Sequence, residues 1–332
     1  VVADDKKNLI ERLRKAGFSR AAIRAAWPSW WTDEADASPS GRAELRFALA
    51  RRLGLEPKPL LGERVEFVWN DEAKFKHLSA EDEPQKSALT SFGMSIGRLL
   101  LRATPAPTAT EIAPADILRA AILAGNPFVD LSSLIATCWA MRIPIIHLRV
   151  FPLEAKSMHA MVVRIDNRFA ILLGRDANYP APIAFAVAHE LGHVMLGHLD
   201  GIPALVDLKD SALFRDGDDQ EDEADRYALT LLTGSSEPNI QTSADHFNAP
   251  MLAGAALNAA AEYGVEPGTL ALCLGYQRNA WRVAMSSLRF IYRERKSAWR
   301  EVNGIADGEL LWDELGDEEA HYLRNVMIGA HA

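Results

Sequence analysis

Residues 181–199 read A-P-I-A-F-A-V-A-H-E-L-G-H-V-M-L-G-H-L, and the fold is decided here. Ile183, Phe185, Val187, Leu191, Val194 and Leu196, with alanines between them, make the stretch apolar nearly all round, which predicts a buried helix. Inside it stand His189, Glu190 and His193. Positions four apart share a helix face, so the two histidines can hold one metal ion from a single rigid element. Glu190, one step round, stands where hydrolysis needs a general base. Two imidazoles and a carboxylate inside a core need a reason to be there, and a metal ion supplies one.

Downstream, 216–232 reads D-G-D-D-Q-E-D-E-A-D-R-Y-A-L-T-L-L. Acidic residues at a helix start complement the helix dipole, but the spacing says more. Glu221, Ala224, Asp225, Ala228, Leu231 and Leu232 share an inward face, whereas Asp222 and Glu223 are expected to point elsewhere. Glu221 is then the third metal ligand, and Asp225, one turn on, accepts the ring N–H of a ligand histidine. Zinc (Zn2+) suits such ligands, and three nitrogen and oxygen donors also admit manganese (Mn2+).

Upstream, 131–141 predicts a helix and 143–148 a short strand, followed by a hairpin turning at Asp166-Asn167 that leads into the central helix. Residues 8–61 predict several short helices, with Ser19 and Ser40 as N-caps and Gly54 as a closing residue. An amphipathic helix follows at 84–102, then T-P-A-P-T-A-T at 104–110 as a linker. The expected organisation is 1–61 as an N-terminal helical domain, 62–114 as connector and linker, 115–275 as the metal-binding domain, and 276–332 as a helical C-terminal region. The expected fold class is α+β, mostly helical, with a small sheet.

H-E-L-G-H at 189–193 followed by E-D-E-A-D-R-Y-A at 221–228 resembles the ImmA/IrrE family of metallopeptidases, over roughly 115–288. The resemblance implies a zincin-like, gluzincin-type endopeptidase, in which the hairpin strand 168–173 is where an extended substrate would add as a further strand. It assigns His189, His193 and Glu221 as ligands and Glu190 as base, and implies cleavage of a helix-turn-helix repressor, which releases stress, prophage or defence genes. Two departures stand out. The histidine common after the active helix is displaced to His198, expected to be a helix-end residue, and Asp225 stands where the family often has Asn. Residues 8–61 resemble a phage-repressor-type helix-turn-helix domain, but W-P-S-W-W-T-D-E-A-D-A-S-P at 27–39 disfavours both a recognition helix and an approach to phosphate. The alternative reading is a DNA-binding regulator with a sensory or vestigial metal site.

The remaining candidates carry less. His159, Tyr179, Tyr227 and His246 are candidates for a second oxyanion donor. Cys138 and Cys273 read as core residues, Cys138 being one that could reach the metal's fourth position. Arg282, Arg289, Arg293, Lys296 and Arg300 alternate with Trp281, Tyr292 and Trp299, the pattern of a surface that stacks bases and binds phosphates of single-stranded DNA; an ordinary amphipathic helix reads the same way. The chain has 332 residues and a formal charge of −9, which excludes a general nucleic-acid coat and makes any such contact local. Two cysteines far apart, no signal-like opening and no run long enough for a bilayer point to a reduced, cytoplasmic setting without membrane contact.

Overall fold

The computed structural model describes residues 2–69, 73–76, 83–107, 112–154, 158–207, 219–242, 246–295 and 297–329. It is an α+β protein, 60% helical, with a small mixed sheet of five strands. The hairpin forms as its sequence predicts: β3 (Ala160–Ile165) and β4 (Arg168–Leu173) turn at Asp166 and Asn167, with φ of 51° and 58°. Positive φ at both central residues gives a turn whose twist matches the strands. β2 (Ile145–His147) adds to β4 in parallel, while β5 (Ala204–Asp207) and then β1 (Lys74–Lys76) add beyond β3, giving the order β1-β5-β3-β4-β2.

This order corrects one expectation. β4 pairs with β3 along its whole length and with β2 over Ile171–Leu173, so the half of it next to α9 offers no free edge for an incoming substrate strand. The outer edge of β2 is covered too: Asn303, on α14 (Ala298–Glu309), accepts from the His147 backbone N–H at 2.7 Å and donates to its carbonyl at 2.8 Å.

The stretch expected to be a connector is central. In α6 (Glu83–Arg102), Gly93 lies directly against Met161 and Gly97 against Val163, and the absence of side chains there brings the helix down onto the sheet. Side chains alternate along a strand, so the fully buried Val162 and Ile171 face the other way, toward α9 (Pro180–Met195).

The N-terminal segment is α1 (Val2–Lys15), α2 (Arg20–Ala26), α3 (Asp33–Ala37), α4 (Pro39–Leu53) and α5 (Pro57–Leu61). Two details differ from expectation. A five-residue helix forms at 33–37 because Thr32 caps it, accepting from Ala35 N, and Asp33, Glu34 and Asp36 suit the positive end of its dipole. The cap of α4 is Ser38, not Ser40, because Pro39 takes the first helical position.

The expected boundary at 61 is not a boundary of the core either. One continuous cluster of buried side chains runs from Leu9 through Leu49 and Phe92 to the sheet, and on to Tyr322 in α15 (Asp317–Ile328). Ser19 bonds back to the Phe151 carbonyl at 2.6 Å, Tyr322 donates to the Arg52 carbonyl at 2.8 Å, and Glu318 meets both Arg52 and Ser29. A second, smaller core joins α11 (Ala249–Tyr263), α12 (Pro267–Gln277) and α13 (Trp281–Ile291) to Tyr179 and Ala181 at the start of α9. Of the expected linker, 108–110 lies outside the described residues.

Candidate metal centre

The site is made by two helices packed side by side. α9 starts with Pro180 and Pro182 in its first turn, where missing N–H groups cost nothing, and is buried along most of its length. α10 (Asp219–Thr233) opens with Asp219, Glu221 and Asp222. At the contact, an added Cβ on Gly192 would come within 3.2 Å of the Ala224 carbonyl oxygen and of the Tyr227 Cβ, so a bare glycine is what lets α10 approach. That approach carries Glu221 to the histidines.

His189, Glu190 and His193 are 2%, 1% and 0% exposed. His189 Nε2 and His193 Nε2 are 3.0 Å apart, and the Glu221 carboxylate lies 3.2 Å from the second and 3.3 Å from the first. These three side chains are the candidate metal-binding group among the described residues. The donor set fits a small dication: ligands bound tetrahedrally at about 2.0–2.1 Å stand about 3.3 Å from one another. Asp225 accepts from His189 Nδ1–H at 2.8 Å, which leaves Nε2 as the nitrogen that faces the centre and would give up its proton to a metal ion.

The electrostatics point the same way. Burial alone would disfavour a charged His189, yet hydrogen bonds to Asp225 and Glu221 prevail and raise its pKa to about 10. Burial would likewise raise Glu221, but the two imidazoles hold it well below the usual carboxylate range. A centre that draws a proton this strongly is one in which positive charge is stabilised.

His189 and Glu190 form part of the wall of a cleft of about 1160 Å³. Its opposite wall comes from α12 and α13, including Leu272, Tyr276 and Trp281, and its rim from the segment between β4 and α9. His159 and Tyr179 line this cleft. Tyr227 does not, since its hydroxyl donates to the Ala113 carbonyl at 2.8 Å, and His246 is exposed elsewhere. Cys138 is buried in α8 (Leu131–Ala140), apart from the metal-binding group, with burial pushing its thiol up to about 12. Cys273 is the cysteine in the cleft, and burial pushes it to about 12 as well.

Two residues were missed. His198 is buried, its Nδ1 2.8 Å from His193 Nδ1, and its Nε2 lies 3.1 Å from Glu223, a side chain expected to point elsewhere. The signal was Gly197. With φ of 74° it ends α9 in a Schellman turn, in which His198 N–H reaches the His193 carbonyl at 3.0 Å and Gly197 N–H the Val194 carbonyl at 3.3 Å. That turn sets the second residue beyond the cap beside the residue three before the helix end.

The basic stretch is not one interleaved surface. Arg282, Arg289, Arg293 and Arg300 are exposed, but Trp281 faces the cleft, and Tyr292 stacks on Tyr179 and bonds Glu266. Trp299 carries the guanidiniums of Arg149 and Arg300, 4.6 and 4.7 Å from its ring. The helix also breaks after Ile291, where Arg293 takes a positive φ. Lys296 lies outside the described residues.

In comparisons with known proteins, no family model and no curated protein matches the chain.

Proposed function

We propose that this chain is a zinc-dependent endopeptidase that cleaves a partner protein. The observation that carries the reading is the convergence of His189 Nε2, His193 Nε2 and Glu221 beside the fully buried Glu190, at one wall of an open cleft.

His189, His193 and Glu221 would hold the ion. When bound, zinc supplies Lewis acidity, polarising the scissile carbonyl and making water acidic enough to be used near neutral pH. Glu190 takes the proton of the attacking water and returns it to the leaving amine. Asp225 keeps His189 in the tautomer the reaction needs. The apolar wall from α12 and α13 receives substrate side chains, while the segment 175–179, rather than a strand edge, borders the substrate backbone.

The resemblance of the two motifs to the ImmA/IrrE family makes a helix-turn-helix repressor the substrate to try first. The competing reading, a DNA-binding regulator with a sensory metal site, leaves Glu190 without a task, and the short helix at 33–37 suits it poorly. The test is incubation of the zinc-loaded protein with candidate repressors, with and without chelator. Cleavage that requires metal and is lost in Glu190→Gln supports the reading; repressors left whole by protein that holds its metal would sink it.

A further inference from the structure

We infer that His198 and Glu223 are positioning residues for the metal ligand His193, forming a proton-fixing relay from the centre to the surface. The inference rests on His189, His193 and Glu221 holding a metal ion, but not on what the protein cleaves.

Both ligand histidines have their outer nitrogens occupied. His189 Nδ1 meets Asp225 at 2.8 Å, a carboxylate that can only accept, so Nδ1 keeps its proton and, with a metal ion bound, Nε2 supplies the lone pair. His193 Nδ1 instead meets another imidazole nitrogen, His198 Nδ1, at 2.8 Å. Two ring nitrogens at this distance share one proton, and either could carry it. If His198 Nδ1 carries it, His193 is left protonated on Nε2, and no lone pair faces Glu221.

Glu223 decides between the two arrangements. Its carboxylate lies 3.1 Å from His198 Nε2 and accepts, so a neutral His198 carries its proton on Nε2 and offers a lone pair at Nδ1. His193 Nδ1–H then donates to it, and His193 Nε2 turns a lone pair to the centre. Only one proton placement satisfies both bonds with neutral rings, and it is the one that makes His193 a ligand. All three acidic residues are on α10: Glu221 at the centre, Asp225 holding one histidine directly, and Glu223 holding the other through His198.

The local fold explains why an intermediate is needed. Glu223 stands two residues from Glu221, so a helix carries it away from the centre, and its side chain is 50% exposed. The turn at Gly197 closes the gap by bringing His198 back beside His193.

The experiment compares zinc affinity, by competition with a chromophoric chelator, in the full chain and in His198→Phe, His198→Asn and Glu223→Ala. Partners that orient ligands typically account for about 10–100-fold in metal affinity, so His198→Phe should weaken zinc binding by that factor. His198→Asn, whose carbonyl oxygen can take the place of the accepting Nδ1, should recover most of it. The surface substitution Glu223→Ala, which leaves packing alone, should weaken zinc by about tenfold and supplies the answer if His198→Phe does not fold.

A second readout is one that packing would not move. In the zinc-loaded parent the hydrogen-bonded Nδ1–H protons of His189 and His193 should each give a downfield, slowly exchanging resonance. The His193 signal should vanish in His198→Phe while that of His189 stays. The cobalt-substituted forms should show a matching change in visible spectrum. Parent-like affinity and spectra in both His198→Phe and Glu223→Ala would overturn the relay while leaving the metal centre standing; a parent that binds neither zinc nor cobalt would overturn both.

Discussion

At the residue scale, the centre is defined by what each side chain can do with a proton. Glu190 sits beside the ligands without belonging to the metal-binding group, so Glu190→Gln should retain the parent metal content by elemental analysis. Proteolysis should fall by about 10²–10⁴-fold, the usual contribution of a general base. The metal-free protein should show the centre in its pH dependence. Hydrogen bonds raise His189 from 6.5 to about 10, so its stabilisation is complete below 6.5 and is lost as pH rises through 10. Glu221, depressed from 4.5, stabilises above 4.5 and loses that contribution as pH falls. The pair therefore contributes most between 4.5 and 6.5, and the melting temperature of chelator-stripped protein should drop from pH 6.5 to pH 10. A flat profile over that range would refute a His189 held protonated by Asp225 and Glu221. Zinc affinity should rise over the same interval, because the metal displaces the proton. His189, His193, Glu221 and Asp225 were legible because helical period alone puts them on facing stripes. His198 was not, since its position depends on a left-handed residue that reverses the chain, and only Gly197 hinted at it.

At the scale of elements, the spacing between α9 and α10 sets the ligand geometry. Alanine in a helix is ordinarily favoured over glycine by about 1 kcal/mol, so Gly192→Ala should leave helicity intact or raise it. The new Cβ, however, would sit 3.2 Å from the Ala224 carbonyl oxygen, and backbone has to give way. We expect zinc affinity to fall by about tenfold with unchanged circular dichroism, and equal affinity would show that α10 is not held at contact distance. The hairpin was legible from Asp166-Asn167, because a two-residue turn with positive φ has a narrow sequence requirement. The pairing of β4 with β2 was not, for nothing local to 168–173 specifies which strand comes to its far side. Asn303, acting as a false strand for β2, is a contact between residues 156 apart and has no local signature at all.

At the scale of the whole molecule, the N-terminal helices and α15 hold each other. Tyr322 is fully buried and its hydroxyl reaches the Arg52 carbonyl, so Tyr322→Ala should cost about 3–5 kcal/mol, as other large aromatic truncations do. The loss should appear as one shifted urea transition followed both by helical signal and by tryptophan fluorescence. A separate early transition of the N-terminal helices would contradict the continuous core. The expected division at 61 was drawn where the run of short helices ends, whereas the core is closed by a helix more than 200 residues later, which no boundary signal records. The cleft, by contrast, lies where the two cores meet. Its metal-binding wall stands on α9 and α10 in the larger core, its opposite wall on α12 and α13 in the smaller one. On the proposed reading, holding the ion and choosing the peptide are thus written on different helices. If the chain is the peptidase proposed above, Leu272, Tyr276, Trp281 and Met285 can be rewritten to redirect it to a new target while the residues on α9 and α10 are inherited untouched.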